Sequence, residues 1–144
     1  MSTADAGRPL PLSKVFKKSE EWEEDRFGLA DREDVKGWGM TLQGCGDYYA
    51  TDLELRLAHR FQKMTMQVGQ GNDSQSYDQL LVVEIYDGTE QVEIQRIPFD
   101  TVTPFDISAV DVNAMIVRLY IDDESQKCRS DASVIAVVEG LTLT

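Results

Sequence analysis

The residues of this chain that could do covalent or acid–base chemistry are two cysteines, one histidine and a large set of carboxylates. Cys45 stands in Gln43-Gly-Cys-Gly46, a tight turn that would expose a thiol. A thiol nucleophile needs a base that lowers its pKa. His59 is the single imidazole, and it follows an alternating apolar segment, where an exposed strand-end histidine is the simpler reading. No Cys45–His59 dyad is therefore expected. A serine nucleophile would depend on the same His59, with no Gly-x-Ser-x-Gly setting to support it. There is no Walker loop and no Gly-x-Gly-x-x-Gly, so phosphate cradling has no basis. The expectation is a protein without catalytic residues.

Carboxylates serve both calcium binding and glycoside hydrolysis. Asp122-Asp123-Glu124 follows an apolar segment, and Asp73 and Asp78 sit within the polar stretch that starts at Gly69. No spaced calcium-loop motif occurs, so solvated loop acids and no cofactor are expected, with a structural calcium as the alternative. Aromatic residues offer a different chemistry. Sugar sites stack pyranose rings on Trp or Tyr and hydrogen-bond the hydroxyls with planar polar side chains. Trp38, Tyr48, Tyr49 and Tyr77 all fall in or beside expected loops, and Asn72, Asp73 and Gln75 could supply polar partners. The expected ligand-binding set is Trp38, Tyr48, Tyr49, Asn72, Asp73 and Tyr77. Against it stands the alternative that Trp38 and one tyrosine cap the core. Tyr86 and Tyr120 lie in strand patterns and are expected to pack.

The elements that must position these residues are strands. Leu53, Leu55 and Leu57 alternate with polar or small residues, as do Met64, Met66 and Val68, which is the period of a strand with one buried face. Leu81, Val83 and Ile85 point one way and Val82, Glu84 and Tyr86 the other. Asp87-Gly88 is a hairpin turn signal. The returning strand Gln91–Ile97 is expected to bury Val92 and Ile94, with Pro98 closing it. Phe105 and Ile107 mark a short strand, and Met115, Val117, Leu119 and Ile121 a longer one. The last apolar run, Val134 to Leu143, is broken at Glu139-Gly140, where a bulge would let the strand change sheets. Lys17–Arg32 reads as a short helix or an irregular strap, and Asp31–Gly39 as a polar turn around Trp38. Residues 1–11 read as a flexible tail and 12–144 as one domain. Seven or eight short strands separated by turns predict an all-β antiparallel sandwich.

The 144 residues carry a formal charge of −12. That sign opposes nucleic-acid phosphates and anionic membranes. No signal-like apolar run opens the sequence, so a cytoplasmic protein is expected, with Cys45 and Cys128 as thiols.

Several segments together resemble the NPCBM/NEW2 domain: Pro11-Leu-Ser-Lys-Val, Gly44-Cys-Gly-Asp-Tyr-Tyr-Ala, Leu53-Glu-Leu-Arg-Leu, Phe61-Gln-Lys-Met-Thr-Met-Gln-Val-Gly-Gln-Gly-Asn-Asp-Ser, Val82-Val-Glu-Ile-Tyr-Asp-Gly and Met115-Ile-Val-Arg-Leu-Tyr-Ile. Where the family reads Val-Gly-Val-Asp, this chain has Gln70 in place of the second valine and its acid at Asp73. The resemblance implies a jelly-roll, galactose-binding-like sandwich acting as a carbohydrate-binding module. Carbohydrate or a partner protein is thus the expected ligand, the second as an adaptor or subunit domain.

Overall fold

A computed structural model describes residues 1–124 and 128–144. Among the described residues, nine strands form two antiparallel sheets. In chain order they are β1 (Glu23–Leu29), β2 (Arg32–Gln43), β3 (Thr51–Arg56), β4 (Lys63–Gln70), β5 (Leu81–Asp87), β6 (Glu90–Ile97), β7 (Val102–Ser108), β8 (Ala114–Ile121) and β9 (Ser133–Leu143). The order is β1-β2-β9-β4-β7 in one sheet and β3-β8-β5-β6 in the other. The expected antiparallel sandwich is the observed fold. Leu53, Leu55, Met64, Val68, Leu81, Ile85, Val117 and Leu119 fill the space between the sheets, as their alternation requires.

Several details depart from the sequence-based expectation. Lys17–Arg32 contains β1, which pairs with β2, and the Asp31–Gly39 turn is instead mostly β2, with Trp38 at its middle facing Val138. This hairpin curls over the outside of the five-stranded sheet. There Leu29 and Val35 bury against Val137, the neighbour of the core residue Val138, and Leu29 bridges to Gly71. Gly69 and Gly71 are therefore small because Leu29 and Ile135 pack onto them, and neither has a positive φ.

Val92 and Ile94 do not face the core. The register slips by one residue between Ile85 and Tyr86, so Ile94 pairs with the outward Glu84, and Glu93 takes the place opposite Ile85. A one-residue slip exchanges the two faces of a strand. The bulge at Glu139-Gly140 is present, but β9 stays in its sheet and changes partner instead. Up to Val138 it pairs with β2; beyond, Leu141 and Leu143 accept hydrogen bonds from Leu10 and Gly7. The segment expected as a flexible tail is thus laid along β9, with Leu10 and Leu12 in the core. Phe16 and Lys17 then hydrogen-bond Glu54, covering the edge of β3.

The pair expected to be thiols is a disulfide. Cys45 and Cys128 bridge over a Cα–Cα distance of 6.3 Å, within the normal range for such bonds.

Candidate functional site

The strand registers bring four connections to one end of the sandwich. β2, β4, β6 and β8 finish there and β3, β5, β7 and β9 begin there, as shown by the pairs Gln43↔Ser133, Gly69↔Val102, Thr51↔Leu119 and Leu81↔Ile97. The connections are residues 44–50, 71–80, 98–101 and 122–132. Loops at one end of a rigid sandwich are the usual place for binding residues.

Tyr48, Tyr49 and Tyr77 are exposed on this end, at 88%, 55% and 71%. A single turn of 3-10 helix, Asp47–Tyr49, presents the first two, with their rings edge to face at 5.0 Å. Its shape depends on Gly44 and Gly46, both at positive φ; a Cβ on Gly44 would lie 2.9 Å from the Tyr49 ring, and one on Gly46 would lie 2.6 Å from Asp123 Oδ2. Contacts run on from there across the end of the molecule. The disulfide ties Cys45 to Cys128, Arg129 Nη1 donates to Asp78 Oδ2 at 3.0 Å, and Tyr77 meets Phe99 at 6.3 Å between ring centroids. The hydrogen bond from Gln79, and then the charge of Arg129, hold the Asp78 carboxyl below the ordinary carboxylate range.

Of the other expected site residues, Trp38 is 4% exposed and packs in the main core, so it offers no stacking face. Its position in an expected loop rested on the flanking glycines, of which Gly39 makes room for the Phe27 ring of β1 and Gly37 for Val137 and Val138 of β9. Asn72 is committed to that hairpin: its backbone N–H donates to Gly28 O and its Nδ2 to Ala30 O, at 2.8 and 3.0 Å. Asp73 is exposed on the same connection. Buried Ser74 and Ser76 accept from Ile135 N and Ser133 N, which fastens the polar stretch to β9. Most of that stretch is therefore structural, and Tyr77 and Asp78 are the part that faces outward beside the other connections.

Of the acids raised as cation ligands, Asp78, Asp122 and Glu124 are held by arginines, and Asp73 and Asp123 make no ion pair among the described residues. Arg96 lies 3.7 Å from buried Asp122 and 3.2 Å from Glu124, and Arg129 holds Asp78 and Asp131. Cys45 and His59 stand before and after β3, at opposite ends of the sandwich, and His59 Nδ1 meets Asp111 O.

Two features lie outside the sequence-predicted site. On the outer face of the four-stranded sheet, Tyr86 and Tyr120 both donate to Glu84, and Arg118 makes a two-pronged contact with Asp52 at 2.9 and 3.2 Å. The second is a cleft of about 980 Å³ where β2 parts from β9. Pro9, Leu10, Val35 and Leu141 form its apolar walls, with the ion pair of Arg32 and Glu139 at its rim. No pattern in the sequence signals it, because it depends on β9 changing partner.

No family model and no curated protein sequence matches the chain. Solved structures do. CBM51 from Clostridium perfringens GH95, in complex with methyl-galactose, aligns at TM-score 0.57 and 16% identity, covering 89% of this chain and 94% of that one. The CBM51-2 and INT domains from Clostridium perfringens ZmpB align at 0.54 and 12%, covering 90% of this chain and 29% of that one. A further structure of CBM51-2 with INT, in complex with GlcNAc, aligns at 0.51 and 14%, covering 84% and 26%. The chain thus spans less than a third of the two ZmpB structures. These likenesses show a shared sandwich fold.

Proposed function

We propose that this protein is a non-catalytic carbohydrate-binding module whose ligand rests on the loop end. The observation that carries the reading is the exposure of Tyr48, Tyr49 and Tyr77 together on one end of the sandwich, on connections joined by the Cys45–Cys128 disulfide and the Arg129–Asp78 ion pair. An exposed ring normally costs free energy in water, and a sugar's C–H face covers it. The structural neighbours in complex with methyl-galactose and GlcNAc support the same reading, as does the NPCBM/NEW2 resemblance. The proposed contact residues are Tyr48, Tyr49 and Tyr77, with Asp73 at the margin; no cofactor is required. The disulfide supports an oxidising compartment in place of the cytoplasm, since such bonds persist there.

The test is a glycan array followed by calorimetry on the wild type, Tyr48→Ala and Tyr77→Ala, with unfolding curves to check the fold. Binding that weakens about tenfold or more in a folded variant is expected, in line with the loss of one stacked ring. Undiminished binding in both variants would remove the site assignment.

One observation favours a second reading, a protein-interaction domain. Arg32–Gly37 of β2 has no pairing with β9, and this edge lines the cleft. A stoichiometric protein captured from native cells, lost with Val35→Asp, together with a blank array, would replace the first reading.

A further inference from the structure

The charge of this molecule is not evenly spread. Among the described residues, the four connections at the loop end hold eight acids against one base, Arg129, whereas residues 57–62, 88–89 and 109–113 at the other end hold one acid, Asp111, and one base, Arg60. Among the described residues, ion pairs with Arg96 and Arg129 account for four of those eight acids. Asp47, Asp73, Asp100 and Asp123 make no ion pair among the described residues. Two of these belong to or touch the turn that carries the most exposed ring. Asp47 adjoins Tyr48 in the same helical turn, and Asp123 lies against Gly46, two residues before Tyr48.

An exposed aromatic face flanked by unpaired carboxylates is the chemistry that recognises an ammonium group, through the ring quadrupole and direct charge attraction. The same field repels uronates, sialylated sugars and sulfate esters. We infer that the loop end selects glycans bearing free amino groups, hexosamine units without their N-acetyl groups, over neutral and acidic ones. This rests on the carbohydrate reading. The amine would lie between Asp47 and Asp123, and the C–H face of a neighbouring unit on Tyr48. At low salt each exposed ammonium–carboxylate contact contributes up to about fivefold in affinity. Two of them with the ring give an expected preference of about tenfold or more.

The experiment is calorimetry at about pH 5.5, where carboxylates are ionised and hexosamine amines protonated. The probes are a β-1,4-glucosamine hexamer, its fully N-acetylated form, an oligogalacturonate of equal length, and polylysine. The expected result is tightest binding of the glucosamine hexamer and none of the galacturonate. The preference should shrink between about 20 and about 300 mM salt. It should also fall about tenfold in the Asp47→Asn/Asp123→Asn double variant, which removes charge and leaves Tyr48 in place. Equal or tighter binding of the acetylated hexamer would overturn the charge inference and leave the carbohydrate reading standing. Polylysine bound as tightly as the hexamer would also overturn it, as attraction without sugar recognition. If none of the sugars binds and a glycan array is blank, the carbohydrate reading itself fails.

Discussion

Gln70 donates through one amide nitrogen to two carbonyls on different parts of the molecule, Gln79 O at 2.8 Å and Ile97 O at 3.0 Å. The first is in the connection that carries Tyr77; the second ends β6 in the opposite sheet. The amide is buried, so its hydrogen bonds are made without competition from water. Gln70→Ala removes both donors, and each such bond is worth about 1 kcal/mol net, more where a carbonyl is left buried without a partner. Urea unfolding should show a loss of about 1–3 kcal/mol; a midpoint equal to that of the wild type would mean the two carbonyls find other donors. A polar residue where the NPCBM/NEW2 pattern has valine was visible in the sequence, but its partners were not. They lie 9 and 27 residues away and meet only when the sheets stack.

At the scale of elements, the disulfide and the β1–β2 hairpin were the features least legible beforehand. Cys45 and Cys128 are separated by 83 residues, and nothing in their local sequences indicates that β2 ends beside the start of β9. A cross-link over a loop of this length stabilises by about 4–5 kcal/mol in the chain-entropy account. Cys45→Ser/Cys128→Ser should therefore lower stability by up to that amount, read by denaturant midpoint. It should also weaken glycan binding beyond what the stability change explains, because it frees the turn that carries Tyr48 and Tyr49. Full affinity in a still-folded double variant would show that the ring positions do not depend on the bridge. The hairpin is not legible in the sequence for another reason. Its residues carry dense charge, and its apolar positions Phe27, Leu29 and Val35 bury against the outside of a sheet that the sequence had not yet located.

The whole molecule is a stack of two sheets with a polar outer network, and that network gives its stability a dependence on alkaline pH. Burial and then the hydrogen bond to Glu84 raise the Tyr120 pKa, and the hydrogen bond to Glu84 raises that of Tyr86. A tyrosine raised in the folded state contributes stability that is whole below the unfolded value of about 10 and is lost as pH rises toward the folded one. Thermal unfolding should therefore fall off above about pH 10, with tyrosinate absorbance in the native protein showing two late-titrating residues. Tyr120→Phe should flatten that decline; an unchanged slope would show that Tyr120 does not contribute to it. The sequence by itself determined the strand count within one or two, the faces of β3, β4, β5 and β8, the acidic charge and the tyrosines available for binding, because alternation and composition are local properties. Only the tertiary structure decided that Trp38 belongs to the core, that Asn72 holds a hairpin, that β6 turns its other face inward and that the three tyrosines share one end. Each of those depends on which distant segment arrives alongside, and that is set by pairing register and sheet stacking across the whole chain.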